Sequence, residues 1–204
     1  MTDARRFAPA AARNREAIHE ALRPYLIAGS SVLEIASGSG EHITHFASAH
    51  RDVQFQPSDP DAAARASIDA WIAHLKLENV APALTLNVIE AAGVAPASTV
   101  PTVDLVLCCN MIHIAPWAAT AGLMATAAAR LKLSGRLALY GPFFEADRPP
   151  APSNVAFDES LRAQDASWGV RDLKAVSACA TDAGFGPPDV TTMPANNLLV
   201  VWQN

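Results

Sequence analysis

The chain has 204 residues, half of them apolar, and a formal net charge of -5. That length buries a full hydrophobic core, and that apolar content excludes a disordered protein. The acidic balance and the lack of a basic block argue against nucleic acid or an anionic membrane as a partner held by charge, and no apolar run approaches the roughly 18 residues of a membrane span.

Ala17, Ile18, Ala21, Leu22, Tyr25 and Leu26 recur at helical spacing and predict a first helix from about Ala12 to Ile27, which Pro24 kinks or ends. Gly29-Ser30-Ser31 turns the chain into a strong strand, Val32–Ala36. A helix over Glu41–Ala49, a short strand at Val53–Gln56 and a helix over Asp61–Leu77 follow. Strands are expected at Ala83–Val88 and Asp104–Cys109, an alanine-rich helix at Ala118–Leu131, and a strand at Arg136–Tyr140. Such alternation implies an α/β fold with a mostly parallel sheet covered by helices on both faces.

Residues Glu145–Trp168 break the pattern, with prolines crowding "DRPPAPSN" and a short helix expected at Asp158–Ala163. An irregular insertion of this kind often covers a binding site. Asp172 is positioned to cap a last helix ending at Gly184. "DVTTMPANNLLVVWQ" then reads as two strands joined by a Pro194–Asn197 turn. No repeat, linker or second domain is visible, so the expectation is one domain over residues 1–204 with an insertion at about 145–171 over its site. Cys108, Cys109 and Cys179 form no disulfide framework, and the first two sit side by side in an apolar run, so a reducing, cytoplasmic setting is expected.

The most informative stretch is "VLEIASGSGEH", Val32–His42. In an open parallel sheet, ligands bind beyond the carboxyl ends of the strands where strand order reverses. Gly38 and Gly40, just after the first strand, let the backbone approach a ligand, and the next helix begins with free N–H groups. A dinucleotide fingerprint would need a third glycine where Ile43 stands, which disfavours a nicotinamide-dependent oxidoreductase. Glu34 lies inside the apolar strand, where a carboxylate needs a donor from protein, water or ligand. Asp59, 19 residues after Gly40, ends the second strand and suits a ribose, while Asp61 suits a helix cap. The plainer alternative is a glycine-capped turn above a structurally paired glutamate.

These residues resemble those of class I S-adenosylmethionine-dependent methyltransferases. "VLEIASGSG" is similar to their first motif, "VDLVLCCNMIHI" to their fourth strand and its loop, and "LKLSGRLALYGPF" to the turn into their fifth strand. The likeness is closest to the subfamily catalogued as domain of unknown function 938, the relatives of methyltransferase-like 26. It is carried by "RNREAI", "LEIASGSGEH", "QPSDPD", "NMIHIAPW", "YGPF", "APSNVAFDESLRAQDASWGVRDL" and "MPANNLLVV".

The resemblance implies a Rossmann-like, seven-stranded, mostly parallel sheet with a C-terminal antiparallel hairpin, and S-adenosylmethionine as cofactor. It implies that Glu34, Ala36, Ser37, Gly38 and Gly40 wrap the methionine part and that Asp59 holds the ribose. Pro60, Asn87 and Val88 would sit by the adenine, and Asn110 and Met111 by the amino-acid end. Ala36 stands where many relatives carry glycine, which suits a negative φ, and Asn87 stands where an aspartate is frequent.

Methyl transfer is an in-line displacement that needs alignment more than a catalytic side chain. His113, on the ligand side of the fourth strand, is the candidate general base, against a packing role in its loop. Asn14, Trp117, Phe143, Asn154, Trp168, Arg171 and Asn196 are the candidate substrate and lid residues. For the asparagines turn formation is the alternative, and for the tryptophans it is packing. His42 and His45 lie three apart, which does not match the four-residue zincin step, so no metal is expected. The expected function is a methyltransferase acting on a small molecule, or else a protein that binds S-adenosylmethionine or S-adenosylhomocysteine without turnover.

Overall fold

The computed structural model describes residues 3–91 and 100–204. Proline at a helix start loses no hydrogen bond, and Pro9 opens α1 (Pro9–Leu22), which Pro24 closes in a short 3-10 turn. There follow β1 (Ser31–Ile35), α2 (Glu41–Ala49), β2 (Gln54–Ser58), α3 (Ala62–Leu75) and the one-turn α4 (Val88–Ala91). Then come β3 (Val103–Cys109), α5 (Trp117–Arg130), β4 (Leu131–Phe144), α6 (Pro152–Gln164), β5 (Arg171–Asp172), α7 (Leu173–Asp182), β6 (Asp189–Met193) and β7 (Asn197–Gln203).

Six strands lie in the order β2-β1-β3-β4-β7-β6, and β5 pairs with the end of β4 as a seventh. β1, β2, β3 and β4 are parallel, and β7 runs antiparallel to β4. β6 is antiparallel to β7 and therefore parallel to the main set, so the turn at Pro194–Asn196 lies at the carboxyl ends of β1–β4. The order reverses between β1 and β3, and that is where a crevice opens.

Alternation along the strands sends successive side chains to opposite cores. Leu33, Ile35, Val106, Leu137 and Leu139 pack with Leu123 and Ala127 of α5 and Val176 and Ala180 of α7. Val32, Leu105, Leu107, Ala138 and Tyr140 pack with Ile18 and Leu22 of α1 and Ile43 and Phe46 of α2.

Two expectations change. The strand expected at Ala83–Val88 is only a pair of isolated bridges beside β2, Phe55 with Val80 and Ser58 with Leu84. Leu84 N–H donates to the Pro57 carbonyl and Asp59 N–H to the Leu84 carbonyl, but Pro57 and Pro82 have no N–H to extend a ladder. The short helix expected at Asp158–Ala163 begins instead at Pro152 and fills 13 residues, because the proline cluster ends where a proline can start a helix. No helix among the described residues is long and apolar enough to cross a membrane.

Candidate active site

Between β1 and α2 the backbone turns left-handed three times, at Ala36 (φ 57°), Gly38 (φ 58°) and Gly40 (φ 89°). The negative φ expected for Ala36 is thus corrected. The next residue explains it: Ser37 N–H must reach the Ser58 carbonyl of β2, at 2.9 Å, which forces the chain to bend at position 36. The alanine methyl costs about 1–2 kcal/mol in that conformation.

In front of the bend lies a cavity of about 440 Å3, lined by Ala36, Gly38, Asp59, Pro60, Asn87, Val88 and Met111 together with apolar Leu86, Ile114 and Ala119. Its size is that of a small-molecule pocket. A Cβ built on Gly38 would meet no atom within 4 Å, so the bend faces open space. Asp59 is buried and braces the bend: Oδ2 accepts from Gly38 N–H at 2.9 Å and Oδ1 from Asp61 N–H at 2.9 Å. Each oxygen keeps a second lone pair for a sugar hydroxyl. Asp61 caps α3 through Ala63 N–H, so neither acid is idle. The free space, the paired lone pairs and the apolar walls fit a nucleoside.

Asn87 lines the cavity, and its side chain is also held by its own loop. Oδ1 accepts from Ile89 N–H at 3.1 Å and Nδ2 donates to Glu90, so the side chain starts α4. Among the described residues, Ser37 and Gly40 hold the bend without lining the cavity.

Glu34 points away from this cavity, to the α1/α2 side of the sheet. It is 1% exposed, and burial pushes its carboxyl up to about 8, offset in part by a Ser37 hydrogen bond and reinforced by the charge of Asp59. Its donor atoms cluster with those of His42 and Cys109. His42 Nε2 lies 2.8 Å from Asn14 Oδ1, and burial holds its imidazole down at about 4. Burial also raises the Cys109 thiol well above its usual range. Carboxyl, imidazole and thiol are therefore all uncharged near neutrality.

A second, larger cleft of about 730 Å3 adjoins the first, with Ile114 in both walls. Asn14 on α1, Asn110, Tyr140, Asn154 and Phe157 on α6, and Pro194 and Asn197 by the last turn line it. Asn154 is buried and donates to the Asn196 carbonyl at 2.9 Å, while Asn196 Nδ2 donates to Ser153 Oγ, so this pair ties α6 to the turn. Asn197, weighed from the sequence between turn formation and substrate contact, lines the cleft, whereas Tyr140 was not singled out, although it lies within the "YGPF" stretch.

His113 corrects its expectation as a base. It is fully buried, and its ring packs edge-on against Phe143 at 5.1 Å. Its Nδ1 accepts from Arg171 N–H at 3.2 Å, and it lines neither cavity. Burial, then the nearby Arg171 charge, holds it down at about 3. A base needs reach to the proton it takes, and this ring has none. Gly141 is glycine because of it: a Cβ there would lie 2.6 Å from His113 Nε2. Arg171 is equally structural, donating to the carbonyls of Ile112, Ala115 and Ser167. Its guanidinium stands 5.8 Å from the centroid of the Trp117 ring, and neither Trp117, Trp168 nor Phe143 lines the two cavities.

A family model described as "Protein of unknown function (DUF938)" matches residues 5–204. The chain belongs to that family. Solved structures share its fold at low identity. Human N-acetylserotonin methyltransferase in complex with SAM aligns at a TM-score of 0.76 and 12% identity, over 96% of this chain and 52% of that one. An O-methyltransferase family 2 protein from Planctomyces limnophilus in complex with apigenin gives 0.71 and 17%, over 86% and 50%. CalO1, a methyltransferase in calicheamicin biosynthesis in its SAH-bound form, gives 0.75 and 14%, over 95% and 54%. The DUF938 chain thus has the class I methyltransferase fold and spans about half the length of these proteins.

Proposed function

We propose that this DUF938 protein is an S-adenosylmethionine-dependent methyltransferase whose cofactor occupies the cavity at the glycine bend and whose acceptor, a small molecule, occupies the adjoining cleft. The observation that carries this reading is the contiguity of the two spaces through Ile114, with Asp59 and the open face of Gly38 in one and Arg13 among neutral hydrogen-bonding groups in the other. Complexes of fold relatives with SAM, SAH and apigenin support it.

Asp59 would accept from the ribose hydroxyls, the Gly38 region would lie along the methionine part, and Leu86 and Val88 would flank the adenine. When bound, the cofactor supplies an electrophilic methyl on a sulfonium. The chain supplies alignment and dryness: Ile114 stands at the junction, and Asn14, Tyr140 and Asn197 would orient the acceptor by neutral hydrogen bonds. α6 covers the acceptor cleft through Ser153, Asn154 and Phe157. No proton need leave an acceptor that is already nucleophilic, so a buried His113 is compatible with turnover.

Calorimetric titration with S-adenosylmethionine and S-adenosylhomocysteine tests the cofactor half, and absence of binding up to millimolar ligand overturns it. Incubation with methyl-labelled cofactor and a metabolite extract tests the acceptor half. Label transferred to a small molecule, and lost in Asn14→Ala, is the expected result. Binding without any transfer would leave the protein a cofactor binder.

A further inference from the structure

Apart from the two cavities, a group of donors with no role in methyl transfer gathers where α1 packs on α2. Glu16 and His19 stand three apart on α1 and so share a face. His45 meets them from α2, and His50 follows the end of that helix. One donor atom each of Glu16, His19 and His45 lies within 4.8 Å of the other two. His45 Nε2 is 3.2 Å from Glu16 Oε2, close enough for an ion pair but without hydrogen-bond geometry. Two ligands on a tetrahedral zinc with bonds of about 2.0 Å are separated by about 3.3 Å, so this pair already has that spacing.

The two ring nitrogens make the stronger case. His19 Nδ1 and His45 Nε2 are both buried and have no hydrogen-bond partner among the described residues. His19 uses its other nitrogen, Nε2, against His50 Nε2 at 2.9 Å. A metal-ligating histidine characteristically has its second nitrogen held in this way by an outer partner.

We propose that Glu16, His19 through Nδ1, and His45 through Nε2 form a zinc site, with water at the fourth position and His50 fixing the His19 ring. Two imidazoles and a carboxylate are a donor set that zinc takes in preference to magnesium or calcium. The ion would clip α1 to α2. Because Asn14 lies on the same α1 and bonds His42 of α2, the clip also holds a wall of the larger cleft. The sequence step from His42 to His45 gave no such hint, since the partners of His45 come from another helix. The site does not depend on methyl transfer.

The test uses the full chain, free of any histidine tag and stripped with chelator. Cobalt(II) is expected to bind at one ion per chain with the visible bands of a four-coordinate centre, and zinc to displace it and raise the melting temperature. Glu16→Ala and His45→Ala should each weaken binding at least tenfold and abolish the zinc-induced rise. His50→Ala should weaken it about 10- to 100-fold, and His74→Ala on exposed α3 should change nothing. If His45→Ala does not fold, Glu16→Ala decides, because that side chain is largely exposed. Absence of a stoichiometric ion, or binding unchanged in Glu16→Ala and His45→Ala, overturns the proposal.

Discussion

The loops that follow β1 and β3 leave neighbouring parallel strands at the same end of the sheet and come to opposite uses. After β1, left-handed residues hold the backbone back and leave room: nothing stands within 4 Å of a Cβ on Gly38. After β3, the space is filled by the His113 ring, pressed against Gly141 and stitched in place by Arg171. One region keeps glycine for its backbone angle and the other for want of volume. An open cavity and a structural plug are thus built on the same strand-to-loop plan, and the difference lies in which side chains the loop must accommodate.

The largest effect should come from Asp59, which braces the open bend and faces the cavity. Asp59→Ala removes charge-assisted hydrogen bonds worth about 3 kcal/mol, so the cofactor dissociation constant should rise about 100-fold or more by calorimetry. Next, Gly141→Ala overpacks the plug and should cost about 2–3 kcal/mol in urea unfolding, while the cofactor affinity of the folded fraction stays unchanged. Gly38→Ala has room but the wrong φ. It should cost about 1–2 kcal/mol of stability and also weaken cofactor binding about tenfold, breaking the parallel with Gly141.

The smallest effect is one of sign with pH. Glu34 beneath the bend is raised from 4.5 to about 8, so its contribution is full below 4.5 and is lost as pH climbs through 8. His113 in the plug is lowered from 6.5 to about 3, so its contribution is full above 6.5 and is lost as pH falls toward 3. Melting curves across pH should show Glu34→Gln flattening the alkaline side alone and His113→Asn the acid side alone. The acid-side slope that His42, lowered to about 4, also contributes should persist in His113→Asn. A variant that moved both limbs equally would show that the two regions are not independent.

Much of the architecture was legible in the sequence because periodicity reports burial directly. The strand–helix alternation, the Asp61 and Asp172 caps and the last hairpin all follow from residues a few positions apart. What failed was set by distant partners. The strand at Ala83–Val88 depended on whether Pro57 and Pro82 could share a ladder. The sign of φ at Ala36 depended on the Ser37 bond to Ser58. His113 has the right chemistry and loop position for a base, yet the insertion that returns as β5 seals it. The bend, Asp59 and the turn that carries Asn197 could be located from spacing and strand direction, whereas Tyr140 reaches the cleft only through the pairing of β4 with β7.

That pairing has a consequence for how the protein can diversify. Every residue lining the cavity at the bend comes from one continuous stretch, Ile35 to Ala119. The larger cleft is gathered from α1, the loop after β3, the end of β4, α6 and the hairpin turn. Apart from the shared Ile114, point changes in those scattered segments can therefore reshape the larger cleft without altering a side chain that lines the cavity at the bend.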